Sequence, residues 1–476
     1  MGIGLSRLFA LTCAVIGVSV AVGGPAHAHK LKIKQLQRVS PTPDLPQACL
    51  NDGEGPPNNE VEPHLAVNPV KKRNIVATWF LGQEDFRDRA QAGGVAYSKD
   101  GGGTWKSSVI KGVDACSGGP ADYGDGAHDT WVSFGPDGTA YLLAFSLGPQ
   151  TASFYSLTSH TGGRTWSAPT EIIRSETGTI DKPTITADPT RPGTAYVVWT
   201  NPNPPFGAFF SKTTDRGANW SAPQLIYDAV AHQENAQANE ILVLPDGTLV
   251  DIFIGFNASF FTPGVVVPSR IGAIRSTDGG ETWSEPSYIA ETPNQQFIRQ
   301  PDGEGLVQLP PLPSADVTDD GKIYAAWHVP DGDGPVARTF IAHSTDGGRA
   351  WSNPQPVGAS NAAFMPSLGL TRKGTVGVQY YDLSNDKTGD NEWTSKVVFA
   401  HSDDGADHWK TRRIGPRFDL LRAPQRPEQD GYSFIGDYTG VDGAGGGFAT
   451  ALAASQPFTR QGFSDIWAAR LVPRRK

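Results

Sequence analysis

The side chains in this chain that could do chemistry sit in short polar groups at the edges of apolar runs. They are Glu62 and His64 in NEVEPHLAV, His128 and Asp129 in HDTWVSF, Asp181 and Lys182 in DKPTITA, Glu240 in NEILVL, Tyr381 and Asp382 in VQYYD, and Asp437 and Tyr438 in GDYTG. Arg299 lies in a long connection between such runs. Carboxyls and phenols gathered at one place supply a proton donor and a nucleophile, while cations and imidazoles hold hydroxyls or a carboxylate. That is what cleaving a glycosidic bond requires. On this reading Asp129 is the acid/base. Tyr381 or Tyr438, with Glu62 or Glu240 beside it, is the nucleophile pair. Lys182, Arg299, His128, Asp181, Asp382 and Asp437 bind substrate. Each has a plainer reading too. An Asp at a strand start can cap a turn, Lys182 can merely pair with a carboxylate, and a Tyr in VQYYD can be a buried, hydrogen-bonded core residue. Their convergence is the argument, not any single member.

Convergence needs a scaffold, and the scaffold is written in two interleaved repeats. Eight-residue segments ending in Trp recur six times: SKDGGGTW (98–105), SHTGGRTW (159–166), TTDRGANW (213–220), STDGGETW (276–283), STDGGRAW (344–351) and SDDGADHW (402–409). Each reads as a hairpin turn between two strands. The Asp can accept backbone N–H groups within the loop, and the Trp can plug the gap to a neighbouring unit. Between them recurs a strand, a turn often written Pro-Asp-Gly, and a second strand, beginning at 63, 130, 183, 239, 313, 366 and 438. Periods of this size with four strand-like segments each predict an all-β fold, a β-propeller. Seven blades are favoured and six are the alternative. The last unit lacks a fourth strand, and the strand-like stretch from Lys30 to Ser40 can supply it and close the ring.

Strand order sorts the residues by face. The Pro-Asp-Gly turns join the first strand to the second, and the Trp boxes join the third to the fourth. Antiparallel order puts both on one face. Asp100, Asp215, Asp278, Asp346 and Asp404 of the boxes are therefore structural. The candidates above fall on the other face, at strand ends and in long connections that can wall a pocket.

Composition agrees. The 476 residues include 55 Gly and 38 Pro, with aromatics at 10%, which suits a turn-rich ordered fold and excludes disorder, collagen and coiled coil. The net charge of −9 argues against a nucleic-acid partner. Residues 1–28 carry one charge, Arg7, then an apolar run, then Ala26-His27-Ala28, the pattern of a secretory leader cleaved after Ala28. No later apolar stretch is long enough to span a membrane. The expected product is a single propeller domain over 29–476, with 29–45 as its closing strand and entry segment. It would be secreted, and because a closed ring needs no second copy a monomer is expected. Cys49 and Cys116 remain after cleavage, and one disulfide between them suits an exported protein. No Cys/His spacing for a metal is present, and no cofactor is expected. The DGEG segments at 52–55 and 302–305 offer oxygens to calcium but lack a binding-loop spacing.

The six boxes resemble the Asp-box, or BNR, repeats of the sialidase superfamily. The layout over about 40–476 is similar to that of secreted bacterial proteins of the sialidase family, and NEVEPHLAVNP, HDTWVSFGPDG, DKPTITADP, FMPSLGL, GVQYYD and FIGDYTG carry the likeness. The resemblance implies a propeller acting on a glycan or polysaccharide. An exo-α-sialidase would imply an arginine triad on the substrate carboxylate, a Tyr–Glu nucleophile pair and an Asp acid/base. The Phe-Arg-Ile-Pro motif of such enzymes is not in this sequence. Arg87 and Arg89 in QEDFRDRAQ and Arg299 in QQFIRQP are the arginines nearest the required places. Three functions stand: a secreted glycoside hydrolase, a polysaccharide lyase, and a propeller that binds a carbohydrate or protein without turnover.

Overall fold

In the computed structural model the described residues are 29–40, 59–81, 92–120, 126–148, 151–177, 180–256, 268–293, 297–299, 306–308, 311–330, 337–387, 390, 392–426, 432–459 and 463–474. Seven four-stranded antiparallel sheets follow one another as the blades of a propeller. Their inner strands are Glu60–Val67, Gly126–Phe134, Asp181–Ala187, Asn235–Val243, Ser314–Val317, Ala363–Leu370 and Gly440–Ala444. The favoured count of seven holds.

Each blade is packed between two others, and burial along its strands follows. The second strand of blade 1, Ile75–Leu81, is buried at every position. The outer strand Lys106–Val109 alternates between exposed and half-buried residues. A strand covered on both faces is written as an apolar run, and an edge strand as an alternation. Trp79, Trp199 and Trp327, all on second strands, are fully buried between blades.

The ring closes as the sequence predicts. Leu31–Arg38 pairs antiparallel with Ser464–Pro473, from Leu31 opposite Pro473 to Arg38 opposite Trp467. The first strand of the described chain thus completes blade 7, and two sheet edges are removed at once.

The boxes behave as turn locks. Asp100 Oδ1 accepts the amides of Gly103 and Thr104 at 2.8 and 2.9 Å and the Ser98 hydroxyl at 2.9 Å. Asp215, Asp278, Asp346 and Asp404 repeat the arrangement. In the second box Thr161 stands in the Asp position, and its Oγ1 accepts the Thr165 amide. Trp105, Trp166, Trp220, Trp283, Trp351 and Trp409 are half-buried against the clusters between blades. The Asn74 side chain, next to the first turn of blade 1, donates to Gly162 O in the box of blade 2 at 2.9 Å. Boxes and first turns therefore share a face.

The long connections differ from the expected loops. Phe297–Arg299, Leu306–Gln308, Tyr432–Ser433 and Gln425–Arg426 form an eighth, small sheet, joined by a parallel bridge between Val307 and Ser433. Two connections far apart in sequence are thereby tied together.

Candidate active site

The site is made by a backbone irregularity repeated around the ring. Inner and second strands slip register between Val61 and His64, His128 and Trp131, Asp181 and Thr184, Gln237 and Glu240, and Phe364 and Ser367. At each slip one non-glycine residue takes a left-handed backbone: Glu62 (φ 55°), Asp129 (40°), Lys182 (50°), Ala238 (53°) and Met365 (50°). Such a residue costs on the order of 1 kcal/mol or more, and a bulge re-aims the side chain it carries. Ser133, Asp316 and Asp442 each accept the amide of an inner strand in the next blade, which aligns the blades. Counting back equally from them puts Leu312 and Tyr438 at the same level. Read from blade 7, the ring carries Tyr438, Glu62, Asp129 and Lys182 on one arc. Ala238, Leu312 and Met365 occupy the other. One side is reactive and the other apolar.

On the reactive arc the side chains meet. Lys182 Nζ lies 2.5 Å from Asp437 Oδ2 and 3.6 Å from Asp129 Oδ1. The Tyr438 hydroxyl donates to Asp129 Oδ1 at 3.4 Å. Glu62 Oε1 accepts the Asp437 amide at 3.2 Å, and Glu62 and Asp129 are hydrogen-bonded to each other. Asp181 Oδ1 accepts the Lys182 amide, and Gln237 donates to its other oxygen at 3.3 Å. Glu62, Asp129 and Asp437 are buried, while Lys182, Asp181 and Tyr438 are half-buried.

Environment splits these groups. Burial pushes the Glu62 carboxyl well above the usual range, and the Lys182 charge does not bring it back. Burial acts the same way on Asp129, but Lys182 and the bond from Glu62 outweigh it and hold Asp129 low. Glu62 therefore keeps a proton that it shares with an ionised Asp129. Burial raises Asp181 to about 6. It opposes the Lys182 charge, yet Asp129, Asp437, Glu62 and Asp181 prevail and keep the ammonium protonated. Burial, with Glu62, Asp129 and Asp437 around it, drives the Tyr438 phenol far above its ordinary value.

Below the cluster an axial cavity of about 740 Å³ runs between the inner strands, and Asp437 and Tyr438 stand in its wall. His64 and Trp131 line it too, stacked at 3.7 Å, with Trp131 edge-on to Tyr438 at 5.1 Å. His64 Nδ1 accepts the Val132 amide, and burial lowers the ring to about 3, so it is neutral.

Other candidates lie elsewhere. Tyr381 is fully buried. Its hydroxyl donates to Ala453 O at 2.8 Å and accepts the Ala453 amide at 3.2 Å, so it is a core residue and not a nucleophile at this cluster. Glu240 lines the axial cavity, but its Oε2 accepts the Ala315 amide and caps the next blade. His128 stacks on Phe80 at 4.6 Å. Asp382 faces Lys396 at 3.7 Å in a second cavity, with Arg412, Arg413 and Arg417. Arg299 is in strand Phe297–Arg299, and its side chain lies outside the described residues, as do Cys49, Arg87, Arg89 and both DGEG segments. Trp131 and Gln237 were not singled out from the sequence. Aligning the inner strands residue by residue puts Trp131 level with His64 and Gln237 level with Asp181, which is the signal that finds them.

Fold and boxes together define a seven-bladed Asp-box propeller. Residues 207–413 match the family model of the BNR repeat-like domain. That match spans four of the six boxes and agrees with their resemblance to Asp-box repeats. No curated protein sequence matches it. Among solved structures it is similar to a protein of unknown function from Dyadobacter fermentans, at 12% identity over 93% of this chain and 99% of that one, with a TM-score of 0.50. A PL25 ulvan lyase bound to a glucuronate–sulfated rhamnose segment matches at 10% identity over 87% and 94%, TM-score 0.52. An α-L-arabinofuranosidase of Fusarium graminearum matches at 14% over 77% and 98%, TM-score 0.47. These likenesses are of fold.

Proposed function

We propose that this chain is a glycan-active enzyme that hydrolyses a terminal glycosidic bond, with Tyr438, Asp129 and Glu62 as its nucleophile group and Asp181 as its general acid. The observation that carries the reading is the Tyr438 hydroxyl on Asp129, with Glu62 sharing a proton behind it, at the wall of an axial cavity. Tyr438 is the more exposed of the three and meets the sugar. Its phenol attacks the anomeric carbon as its proton passes to Asp129. Asp181, at the level before Lys182, gives a proton to the leaving oxygen. Lys182 holds Asp129 ionised and ties Asp129 and Asp437 in place. The ulvan lyase that shares this fold supports a polysaccharide as the ligand class.

The local charge favours a neutral sugar over a sialylated or uronate-bearing one. Among the described residues Asp129 and Asp437 both face one cation, Lys182, and the Glu62 and Asp181 carboxyls stand beside them. A substrate carboxylate placed there meets excess negative charge. On the opposite arc Leu312 lines the axial cavity and offers an apolar surface to the C–H side of a sugar ring.

We also propose that residues 1–28 are a leader, that the chain is exported as a monomer, and that Cys49 and Cys116 form a disulfide. No helix among the described residues is long and apolar enough to cross a membrane.

The test is to incubate the chain with neutral, sialylated and uronate-bearing glycans and weigh the products. A released sugar carrying the mass of water supports hydrolysis. An unsaturated product would replace it with elimination. Tight binding without any product would leave a carbohydrate-binding propeller.

A further inference from the structure

On the face that carries the boxes, the start of the closing strand makes an unusual contact. The His29 backbone nitrogen lies 2.5 Å from Asp403 Oδ2, and His29 Nδ1 lies 2.6 Å from the same oxygen. Two nitrogens of one residue thus converge on one point. The leader read from the sequence ends at Ala28, so export turns that backbone nitrogen into a primary amine, whose lone pair is available to a metal once its proton is released. An amine and the Nδ1 of the same histidine close a six-membered chelate ring on a cation.

The surroundings are those of a prepared site. The His29 carbonyl is bonded to His401 Nε2 at 2.5 Å, which fixes the residue. Asp403 Oδ1 accepts the Thr375 hydroxyl at 2.7 Å, which orients the carboxylate. Partners of this kind hold the ligands of metal centres. The side chains of His29 and Asp403 are 36% and 21% exposed, so an ion can enter from solvent. No group of three His, Cys, Asp or Glu among the described residues could hold a metal. Here the third donor is not a side chain, and it exists only after cleavage.

We propose that the processed N-terminus is a divalent transition-metal site, in which the His29 α-amine and Nδ1 and the Asp403 carboxylate are the ligands. The inference rests on the leader reading and is independent of the glycosidase reading. Two nitrogens and an oxygen with an open fourth position suit copper(II) or nickel(II), and copper(II) binds such donors more tightly. Binding releases the protons that the two nitrogens now direct at Asp403. His401 is a positioning residue, acting through the His29 carbonyl. Asp403 follows the third strand of blade 6, and His29 leads into the fourth strand of blade 7, so the metal would pin the closing strand to its neighbour.

The experiment uses the chain beginning at His29, made by scarless removal of a leader, beside the same chain with one alanine added before His29. The extension leaves every side chain in place and removes only the amine. Both are freed of metal and titrated with copper(II) by calorimetry, with electron paramagnetic resonance of the product. One equivalent with nitrogen coordination is expected. Binding should weaken by about 100-fold in the extended chain and in Asp403→Asn, and by about 10-fold in His401→Ala. Copper should raise the melting temperature of the native-start chain alone. Equal affinity in the extended chain, or no stoichiometric binding, overturns the site. The mass of the exported chain decides the leader separately: a start at His29 supports the site, and a start elsewhere removes it from the natural protein. Melting without metal shows that the variants are folded.

Discussion

Lys182 Nζ and Asp437 Oδ2 stand 2.5 Å apart with 255 residues between them in the chain. One is presented by the inner strand of blade 3, the other by the segment leading into blade 7. Asp437 stands in the wall of the axial cavity, and Asp129 from blade 2 joins the contact at 3.6 Å. Replacing Lys182 with Met keeps the length of the side chain and removes its charge. Buried carboxylates then lose their cation, which costs about 3–5 kcal/mol when such a pair is broken. The expected result is a loss of roughly that size in urea unfolding, with activity abolished. A loss below about 1 kcal/mol would show that the ammonium does not compensate the cluster.

The two tyrosines proposed from the sequence separate cleanly. Tyr438→Phe removes the hydroxyl on Asp129 and should lower kcat by about 1,000-fold or more with little change in stability, as expected for an essential nucleophile. Tyr381→Phe strands the Ala453 amide and carbonyl inside the protein. It should cost about 1–3 kcal/mol in unfolding and leave kcat within a few-fold. The reverse pattern in kinetics and melting would move the nucleophile to Tyr381.

These two residues also show how far the sequence could be read. The ring and its closing strand were legible because boxes and apolar runs repeat with a period that only stacked blades satisfy. Glu62, Asp129, Lys182 and Tyr438 were legible as strand-start residues. Their common level was not, because the bulge that turns each side chain inward is a backbone feature with no residue signature. Glu62, Asp129, Lys182, Ala238 and Met365 share a left-handed φ and no chemistry. Tyr381 misled for a related reason. VQYYD and GDYTG both put Tyr beside Asp, and only packing decides that one phenol bonds Ala453 and the other Asp129.

Asp181 supplies a pH test of the mechanism. Burial raises it to about 6, so it is a proton donor below that pH and is spent above it. Activity should fall as pH rises through about 6. In Asp181→Asn the limb should disappear and kcat on a poor leaving group should drop by about 100-fold, the usual range for losing a general acid. An unchanged limb in the pH–rate profile would assign the proton to another group.

Stability should fall over a similar range for a different reason. Glu240, Asp316 and Asp442 each accept the amide of an inner strand in the following blade, and all three line the axial cavity. Burial raises them to about 8, 6 and 7. The folded chain therefore holds protons between pH 4 and 8 that the unfolded chain has released, and unfolding free energy decreases as pH rises through that window. The benefit is complete below the unfolded values near 4 and gone above the folded ones. Asp100, held at about 2 by hydrogen bonds led by the Thr104 amide, works in the opposite sense, and its contribution is lost only as pH falls from about 4 towards 2. Melting temperature should therefore be highest near pH 4–5 and decline towards pH 8. Asp442→Asn keeps an oxygen for the Val67 amide and cannot ionise. It should flatten the decline and be the more stable form at pH 8, by on the order of 2 kcal/mol. A wild-type profile flat from pH 5 to 8, or an unchanged slope in Asp442→Asn, would show that the axial carboxyls are ionised at no cost to the fold.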